Sequence, residues 1–407
     1  MAQRLTWCEI SLGALQANLA EFRRLVGPAC LLAPTVKANA YGHGLVLASK
    51  AFAEAGADVL CINDLWEASI LRAAGLALPL HVVGRVTPEQ APEAFGLGVS
   101  LVAYDRGLLD ALDAAAAGSG RRIGVHLKLE TGTNRQGVGL DEARHLVRHA
   151  SGLRGVAVVA VATHFADVED TTDHAYARQQ LATFRAGLAA LRDEGLPDLK
   201  GDIANSAATI LWQEAHLDMV RVGISAYGMW PSPETFVSAT LTHRDRHLPS
   251  AQAEATGFHG KLSPEPNPPR DDLVILRPAL SWKTVVAQVK TVRAGEYIGY
   301  GRTHRTTHDT RIAVLPVGYY DGYDRGMSNA AYVLVRGTRA QVRGRVCMNM
   351  AMIDVSDVPG VQAGDEVLLI GRSGDDAVTA EQVAAWAGTI NYEITTRIAE
   401  SVPRIAV

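Results

Sequence analysis

One lysine of this 407-residue chain stands where it could do covalent chemistry. Lys37 follows an apolar run near residue 31 and begins the polar segment KANAYGHG. A lysine that points into an apolar interior is costly unless it is paired, deprotonated or covalently used, and a Schiff base would meet that need. The alternatives are a lysine that reaches solvent and one that binds an inward carboxylate. Tyr41 could reach a cofactor phosphate, and the glycines beside it permit close approach of the backbone.

Two further segments could bind a phosphate. ANSAA (residues 204–208) and RVGIS (residues 221–225) lie at two later apolar runs. In barrels of parallel strands, the last two strand-to-helix loops frequently hold a phosphate with backbone N–H groups and a hydroxyl. Arg221 lies just before that loop, and because a guanidinium can only donate hydrogen bonds, a pyridine nitrogen facing it would have to stay unprotonated. The residues in the phosphate location are Ser206, Gly223 and Ile224.

Lys128 and Arg135 raise a question of charge. Both lie in KLETGTNR (residues 128–135), so two cations would repel each other at one site unless a negative group lies between them. Glu130 is the simplest partner, because side chains two residues apart in a strand point to the same face. A carbamate on Lys128 is the alternative, since it would reverse the charge of that side chain and orient Arg135. From the residues alone, the Lys128–Glu130 pair is favoured.

Other polar or aromatic residues mark the sixth apolar run, which ends in THFA (residues 163–166), and four turn-like segments nearer the C-terminus. Tyrosines beside glycines in hairpins are usually packing residues, so these types alone assign no function. The residues in question are His164, Tyr300, Tyr319, Met348 and Tyr392.

These residues need a framework that brings them together. Eight short apolar runs, near residues 31, 58, 79, 99, 122, 155, 201 and 219, alternate with Ala/Leu-rich helical segments or glycine loops. This alternation indicates parallel strands buried on both faces, and eight units in roughly 200 residues predict a closed (β/α)8 barrel of the TIM type. An open, doubly wound sheet is the alternative. Helices are predicted at Gly13–Leu25, Gly44–Glu54, Trp66–Ala74, Asp141–His149 and Ala175–Glu194.

The pattern changes after Tyr227. Pro231 to Arg270 is rich in Pro, Ser, His and Arg without helical or strand periodicity, which predicts a linker or surface insertion. From Leu273, β-branched runs recur between glycine turns, which indicates a mostly antiparallel β-domain with a late helix at Ala380–Ala387. The predicted domains are the barrel (residues 12–236), the insertion (residues 237–270) and the β-domain (residues 271–407), with which residues 1–11 would pair.

Composition excludes several classes of function. Lys and Arg total 39 against 43 Asp and Glu, a formal net charge of −4 without a long basic run, which argues against nucleic-acid binding. No segment reaches the roughly 20 apolar residues that cross a bilayer, and the N-terminus lacks the pattern of a cleaved signal, so we expect a cytoplasmic protein without membrane association. The four cysteines lack the spacing of a disulfide framework or a zinc site, and we expect no metal ion.

Together, these segments resemble the alanine racemase family, whose members are fold-type III pyridoxal-phosphate enzymes with an N-terminal barrel and a C-terminal β-domain. VKANAYGHG is close to a family signature, and it is joined in the family's order by THFA, ANSAA, RVGISAYG, YGRT, GYYDGY, VCMNM and NYE. The resemblance spans nearly the whole chain. It implies a homodimer with shared active sites, pyridoxal 5'-phosphate as cofactor, and interconversion of L- and D-alanine that supplies D-alanine for cell-wall peptidoglycan.

The resemblance also implies a role for each matched residue. Lys37 would bind the cofactor as a Schiff base and take a proton from D-alanine, while Tyr300 of the partner subunit would take one from L-alanine. Arg221 would face the pyridine nitrogen, and His164 would support Arg221 and Tyr300 through hydrogen bonds. The phosphate end would be held by Tyr41, Asn205, Ser206, Gly223, Ile224 and Tyr392.

Substrate binding and access follow from the same resemblance. Arg135 and the backbone of Met348 would bind the substrate carboxylate, with Tyr319 nearby. Lys128 lies at a position that is carbamylated in several members, so the resemblance favours the carbamate over the pair with Glu130. The entry channel would be lined by Arg325 and Arg345.

Three departures from the family pattern bear on the substrate and on access. Glu130 and Thr133 stand where Asp and Met are usual, Asn349 replaces an aspartate, and the stretch from Val237 to Arg270 is longer than the usual connection. The first two alter the pocket without removing a catalytic group, so a racemase of broader specificity, acting on serine or other amino acids, is the nearest alternative. A non-catalytic barrel protein that carries pyridoxal phosphate is a distant one, because such proteins typically lack the β-domain.

Overall fold

The structure, a computed structural model, describes residues 5–245 and 274–407. As far as they are described, these residues form two compact units. The barrel unit comprises Ala17–Thr35 and Phe52–Arg277, and the β unit comprises Met1–Gln16, Val36–Ala51 and Pro278–Val407.

The eight apolar runs form the strands of the barrel unit. The first described elements are strand β1 (Thr6–Ile10) and helix α1 (Leu12–Val26). The barrel strands are mostly buried, as expected for strands covered on both faces. They are β2 (Leu31–Pro34), β3 (Leu60–Ile62), β4 (Leu80–Val82), β5 (Ser100–Ala103), β6 (Ile123–Lys128), β7 (Val156–Ala162), β8 (Lys200–Ala204) and β9 (Met219–Val222).

These strands form one parallel sheet in the order β2-β9-β8-β7-β6-β5-β4-β3. The two end strands also meet, because Asp58 donates its backbone N–H to Leu32 O over 3.0 Å, and Thr35 and Cys61 form an isolated parallel bridge. The sheet is therefore a nearly closed barrel. This confirms the predicted (β/α)8 architecture and excludes the open, doubly wound sheet.

Helices alternate with these strands. The five predicted in this part of the chain are confirmed, with ends that differ by at most two residues. Asp64 and Asp105 begin two helices, because their carboxylates accept the N–H groups of Glu67 over 3.2 Å and Leu108 over 2.8 Å. The helices after α1 are α2 (Lys37–Tyr41), α3 (Leu45–Glu54), α4 (Leu65–Ala73), α5 (Ala91–Leu97), α6 (Arg106–Ala116), α7 (Leu140–Ser151), α8 (Ala175–Arg192) and α9 (Ser206–Leu211).

One helix lies where the sequence predicted none. Helix α10 (Pro233–Asp245) occupies the start of the segment that lacks periodicity. Its first turn explains why it forms: Ser232 Oγ accepts the N–H of Thr235 over 2.9 Å, and Pro233 is well suited to the first helical position because it has no N–H to satisfy. Residues 246–270 of the predicted insertion lie outside the described residues.

The β unit contains strands β10 (Leu280–Val285), β11 (Gln288–Val292), β12 (Tyr297–Ile298), β13 (His304–Arg305), β14 (Thr310–Leu315), β15 (Tyr332–Val335), β16 (Thr338–Val342), β17 (Ala351–Asp354), β18 (Glu366–Ser373), β19 (Asp376–Val378) and β20 (Arg404–Ala406). The main sheet is mostly antiparallel, in the order β11-β14-β17-β16-β15-β18-β10-β1-β20, with β19 paired to β18. Strand β1 pairs antiparallel with β10, which places Cys8 opposite Trp282. Helix α11 (Ala380–Ala387) has the predicted bounds, and α12 (Asn391–Thr396) follows it.

Several site candidates lie in short 3-10 helices rather than in open loops. Ile224, Tyr300, Tyr319 and Arg325 lie in the helices Ile224–Tyr227, Tyr300–Arg302, Tyr319–Asp321 and Arg325–Met327. The described residues also form the 3-10 helices Pro88–Gln90 and Gln213–Ala215. None of the helices in the described part of the chain combines the length and apolar character that crossing a membrane requires.

Candidate active site

Lys37 begins α2, a short turn with an unusual backbone. Residues 38–41, none of them glycine, have φ between 51° and 55°. Left-handed backbone costs roughly 1–2 kcal/mol for each such residue, so surrounding contacts must hold it. One of these contacts is made by Asn39, whose Oδ1 accepts the N–H of Leu45 over 2.7 Å. Lys37 is thus attached to a rigid, strained turn.

His43 is completely buried beside the same turn. Its Nδ1 lies 3.1 Å from Ala40 O and 3.0 Å from Tyr41 O, so it can donate to these two carbonyls. Burial lowers the pKa of His43 to about 4, against a smaller opposing effect of these hydrogen bonds. His43 is therefore neutral at pH 7 and helps to fix the backbone that carries Tyr41.

Gly42 allows the turn to pack against α12. It has φ 84°, and a Cβ at this position would collide with the carbonyl oxygen of Thr395. Arg404 also holds the turn, because its Nε donates to Gly42 O over 2.8 Å. The rings of Tyr41 and Tyr392 then lie 6.1 Å apart between centroids. The β unit thus brings together the two tyrosines assigned to the phosphate end.

In the barrel unit, the other residues assigned to the phosphate end lie at two helical N-termini. Ser206 Oγ accepts the N–H of Gly223 over 2.9 Å, which leaves the hydroxyl hydrogen to donate. Asn205 caps α9, since its Oδ1 accepts the N–H of Ala208 over 3.0 Å. Ile224 begins the 3-10 helix that follows Gly223. N–H groups at helical N-termini attract anions, so this arrangement suits a phosphate.

Arg221 lies on β9 and is only 8% exposed. Its Nη1 pairs with the carboxylate of Asp202 on β8, and its Nη2 donates to Thr163 O over 2.8 Å and lies 3.5 Å from His164 Nδ1. Burial lowers the pKa of Arg221 to about 10, so the guanidinium keeps its charge at neutral pH. None of these contacts uses the Nε–H group. Arg221 is therefore a fixed, charged donor, as required of a residue that faces an unprotonated pyridine nitrogen.

Asp202 is a site residue that the sequence reasoning missed. It is 1% exposed, and its Oδ2 lies 3.5 Å from His126 Nδ1. The ring of His81 stacks on that of His126 with 3.9 Å between centroids. The signal that could have identified Asp202 is a carboxylate in the middle of a short barrel strand, where burial requires a partner.

Lys128 ends β6 and is buried. Burial, together with the charges of Arg221 and Arg135, holds the pKa of Lys128 well below the ordinary range of a lysine. The pair with Glu130 that the residues alone favoured is not among the ion pairs of the described residues. Instead, the Glu130 carboxylate accepts the N–H of Gly132 over 2.6 Å. Burial alone would raise the pKa of Glu130, but the N–H groups of the following loop outweigh it and lower that pKa.

Tyr300 lies on the surface of the β unit and is 74% exposed. It begins a 3-10 helix between Gly299, with φ 72°, and Gly301, with φ 71°. A Cβ at Gly301 would lie 2.9 Å from Arg345 Cζ, so the guanidinium of Arg345 packs against the turn that presents Tyr300. The structure thus places these two assigned residues together.

Tyr319 and Met348 lie in neighbouring turns of the β unit. The N–H of Tyr319 donates to Cys347 O over 3.1 Å, and the N–H of Tyr320 donates to Met348 O over 2.9 Å. The Met348 side chain is 55% exposed, so its backbone is held while its side chain faces outward. Arg325 begins a separate 3-10 helix in the same unit.

Two family models match the chain, the alanine racemase N-terminal domain over residues 10–231 and the alanine racemase C-terminal domain over residues 279–406. The chain belongs to the alanine racemase family. This confirms the resemblance that the motifs indicated. Members of the alanine racemase family are isomerases that depend on pyridoxal phosphate.

Individual relatives are similar over their whole length. An alanine racemase of Symbiobacterium thermophilum is 40% identical, over 98% of this chain and 97% of the relative, and one of Desulfovibrio desulfuricans is 37% identical, over 99% and 98%. Among solved structures, alanine racemase from D-cycloserine-producing Streptomyces lavendulae has a TM-score of 0.86 at 34% identity, covering 100% of this chain and 98% of that one. Alanine racemase from Bacillus anthracis with bound L-Ala-P has a TM-score of 0.84 at 32% identity, covering 100% and 96%.

The residues present fit pyridoxal phosphate. The barrel unit offers two helical N-termini and the Ser206 hydroxyl for a phosphate, and a charged Arg221 for a ring nitrogen. The β unit offers the Lys37 amine for the aldehyde and two tyrosines for the phosphate. Each unit therefore carries donors of the types that this cofactor requires.

Proposed function

We propose that the protein is an alanine racemase, which interconverts L- and D-alanine with pyridoxal 5'-phosphate and two catalytic bases, Lys37 and Tyr300. The activity is supported by the match of both family domains and by full-length relatives named alanine racemase. The observation that carries the chemistry is Arg221, a buried guanidinium that stays charged and is held by Asp202 and Thr163.

Arg221 would select racemisation over other reactions of amino acids. When bound, pyridoxal phosphate spreads over its ring the charge that remains on the substrate Cα after proton removal. Because Arg221 donates hydrogen bonds and keeps its protons, it would leave the ring nitrogen unprotonated and the electron sink weak. Amino-group transfer is then disfavoured, while proton exchange at Cα remains possible.

Inversion at Cα requires a base on each face of the substrate. Lys37 Nζ would take the proton from D-alanine and Tyr300 Oη the proton from L-alanine, and each would return a proton on its own side. A tyrosine needs nearby cations to act as a base near neutral pH. Arg221, relayed by His164, would supply this influence, and the 3.5 Å separation of Arg221 Nη2 from His164 Nδ1 supports the first link of the relay.

The remaining assigned residues would bind and admit ligands. The phosphate would be held by Tyr41, Asn205, Ser206, Gly223, Ile224 and Tyr392. The substrate carboxylate would be bound by Arg135 and by the backbone of Met348, with Tyr319 nearby. The entry channel would be lined by Arg325 and Arg345. A cavity of about 370 Å³ beside Arg135 in the barrel unit supports access of a small molecule to this guanidinium.

Lys128 would carry a carbamate. Burial and two nearby guanidinium groups lower its pKa well below the ordinary range of a lysine, which increases the share of the neutral amine, the form that adds to carbon dioxide. The neutral amine nitrogen bonds to the carbon of CO2, one C=O bond becomes a C–O− bond, and the nitrogen loses one proton to solvent, so that a neutral amine becomes an anion. Glu130 is occupied by backbone N–H groups, which leaves the carbamate as the negative group that would orient Arg135.

The protein would act as a homodimer in which Tyr300 serves the active site of the other copy. Tyr300, Tyr320, Met348 and Met350 of the β unit are each between 55% and 74% exposed, and Tyr320 lies beside Met348, whose carbonyl accepts its N–H. Such a surface suits a second copy of the chain. A cytoplasmic location and the supply of D-alanine for cell-wall peptidoglycan belong to the same proposal and rest on the family.

A substrate panel followed by chiral chromatography tests the proposed activity. The purified holoenzyme is incubated separately with the L and D forms of alanine, serine, lysine and arginine. We expect each enantiomer of alanine to reach an equal mixture of the two, because the enantiomers have the same free energy, and we expect alanine to have the highest kcat/KM. No interconversion of alanine would refute the proposal.

A racemase of broader specificity is the second candidate. Thr133 Oγ1 donates to His164 O over 2.5 Å, so a small polar side chain that is bonded to the backbone stands where the family usually has methionine. This difference changes the volume and polarity beside Arg135. Equal or higher kcat/KM for serine in the same panel would favour this candidate.

A further inference from the structure

Asp202 lies in a buried polar cluster of the barrel unit that the proposed mechanism leaves unexplained. Its carboxylate pairs with Arg221 on one side and approaches His126 Nδ1 on the other, and His81 stacks on His126. Burying an ionised group costs several kcal/mol unless it is paired and hydrogen-bonded. A barrel interior is normally filled with branched apolar residues, so this charge calls for a function.

A metal ion is not the explanation, although two histidines and an aspartate lie close together. The two rings are stacked at 3.9 Å with 31° between their planes, and lone pairs that lie in stacked planes do not converge on one ion. His81 Nδ1 is also engaged by Ser100 Oγ at 3.0 Å. The Arg221 guanidinium already neutralises the carboxylate, and its charge would repel a metal cation.

The charge states leave Asp202 and Arg221 as a balanced pair. Burial lowers the pKa of His126 to about 3 and holds that of His81 well below its usual range, so both rings are neutral at pH 7. A buried ion pair is weak evidence for a role in stability, because apolar replacements are often as stable. The pair does determine the orientation of the Arg221 guanidinium. Nη1 is held by Asp202 while Nη2 is held by Thr163 O.

We propose that Asp202 is a positioning residue, which holds the charged Arg221 in one orientation so that it faces the cofactor's ring nitrogen. This inference rests on the proposed role of Arg221. Without the carboxylate, the Arg221 guanidinium would keep its hydrogen bond to Thr163 O but could rotate away from the ring nitrogen. Water could then protonate the ring nitrogen, and the stronger electron sink would allow amino-group transfer in some turnovers.

That side reaction gives a product that can be measured. Alanine is oxidised to pyruvate, whose keto oxygen comes from water, while the cofactor's aldehyde carbon takes the amino group and is reduced to an amine. We expect Asp202→Asn holoenzyme to release about tenfold more pyruvate per racemisation event than wild type, with kcat reduced and KM for alanine within about twofold. Asp198→Asn, which removes an exposed carboxylate from the same part of the barrel unit, should match wild type.

A pure charge effect predicts the opposite result. Loss of a nearby negative charge would by itself make protonation of the ring nitrogen less favourable and pyruvate release lower. Unchanged or lower pyruvate release by Asp202→Asn would therefore overturn the positioning role. The absorbance of the bound cofactor during the reaction gives a second readout, since wild type should keep its visible band while Asp202→Asn loses it progressively.

A double variant separates positioning from a general loss of structure. The Asp202→Asn protein is expected to fold, because a cavity of about 580 Å³ borders Asp202 and His126 and can admit water to the altered site. In an Arg221→Gln background, Asp202→Asn should change pyruvate release by less than about twofold, since it acts through Arg221. Independent effects of the two changes would contradict the inference. Should wild type itself fail to racemise alanine, the proposed function is lost, while the thermal midpoints of the single and double variants still test the pairing.

Discussion

Burial lowers the pKa of two basic side chains of the barrel unit, Arg221 and Lys128, with different consequences. Arg221 is buried, yet a guanidinium whose pKa falls to about 10 still keeps its charge. Lys128 experiences similar burial beside two guanidinium groups, and its pKa falls well below the ordinary range of a lysine. Burial therefore leaves Arg221 a cation, while it increases the share of the neutral, nucleophilic amine at Lys128.

The lowered pKa of Lys128 leads to the prediction that this residue carries a carbamate. Wild type equilibrated with carbon-13 bicarbonate should show a carbamate carbon signal by NMR. Lys128→Ala should lack the signal and raise KM for alanine by roughly tenfold, because Arg135 loses the anion that orients it. Lys200→Ala, which truncates an exposed lysine of the same unit, is the control and should keep the signal. A signal that survives in Lys128→Ala would place the modification elsewhere.

Residue types and order were sufficient to propose most of the site, but they could not predict which groups would pair. Lys37, Ser206 and Arg221 could be assigned because each stands in a motif at the end of an apolar run. The partner of Glu130 could not, because it depends on the direction of N–H groups in a folded loop. Asp202 was missed for a related reason, since its counter-ion lies on a neighbouring strand and is brought close only by the barrel.

At the scale of elements, the sequence predicted the positions of the barrel strands more reliably than it predicted helix α10 or the left-handed turn at residues 38–41. The eight barrel strands could be located because strands buried on both faces are continuous apolar runs. Helix α10 was missed, since its first-turn hydrogen bond leaves little trace in hydrophobic spacing. The left-handed backbone of residues 38–41 was also unpredictable, because Ala and Asn in this order carry no such preference and the conformation depends on distant contacts.

Gly42 provides a test of how that backbone supports the cofactor. Gly42→Ala and Gly56→Ala introduce similar backbone strain, at φ 84° and 88°, but only the Cβ at position 42 would meet Thr395 O. Both variants should lose about 1 kcal/mol of the free energy of unfolding from the strained φ, and Gly42→Ala should lose more because its Cβ also collides with the backbone of α12. Only Gly42→Ala should also raise the Kd for pyridoxal phosphate, by about tenfold, because the collision displaces Tyr41 from Tyr392.

Urea denaturation of both variants gives the free energy of unfolding, and fluorescence titration with pyridoxal phosphate gives its Kd. Gly56 lies in open space after α3, so its variant reports the strain alone. Equal cofactor affinity in the two variants would contradict the role assigned to the packing of α2 on α12.

At the scale of the whole molecule, the exposed position of Tyr300 matters most. A catalytic base needs a defined position, yet in the single chain this side chain is 74% exposed at the tip of a turn flanked by two glycines. A second copy of the chain would cover the side chain and give it a fixed environment. The proposed catalytic pair, Lys37 and Tyr300, would then be completed only by assembly.

Mixed dimers decide whether the pair is shared between copies. Lys37→Ala removes the cofactor anchor and Tyr300→Phe removes one base, so each homodimer should be nearly inactive. If Tyr300 serves the other copy, a mixed dimer has one site that carries both defects and one site that is entirely wild type. Random exchange of subunits should therefore restore about one quarter of wild-type activity. If both bases came from one chain, every site would keep one defect, and mixing would restore nothing. Mixing each variant with a Lys37→Ala/Tyr300→Phe double variant is the matched control, because no dimer in those mixtures has an intact pair in either arrangement.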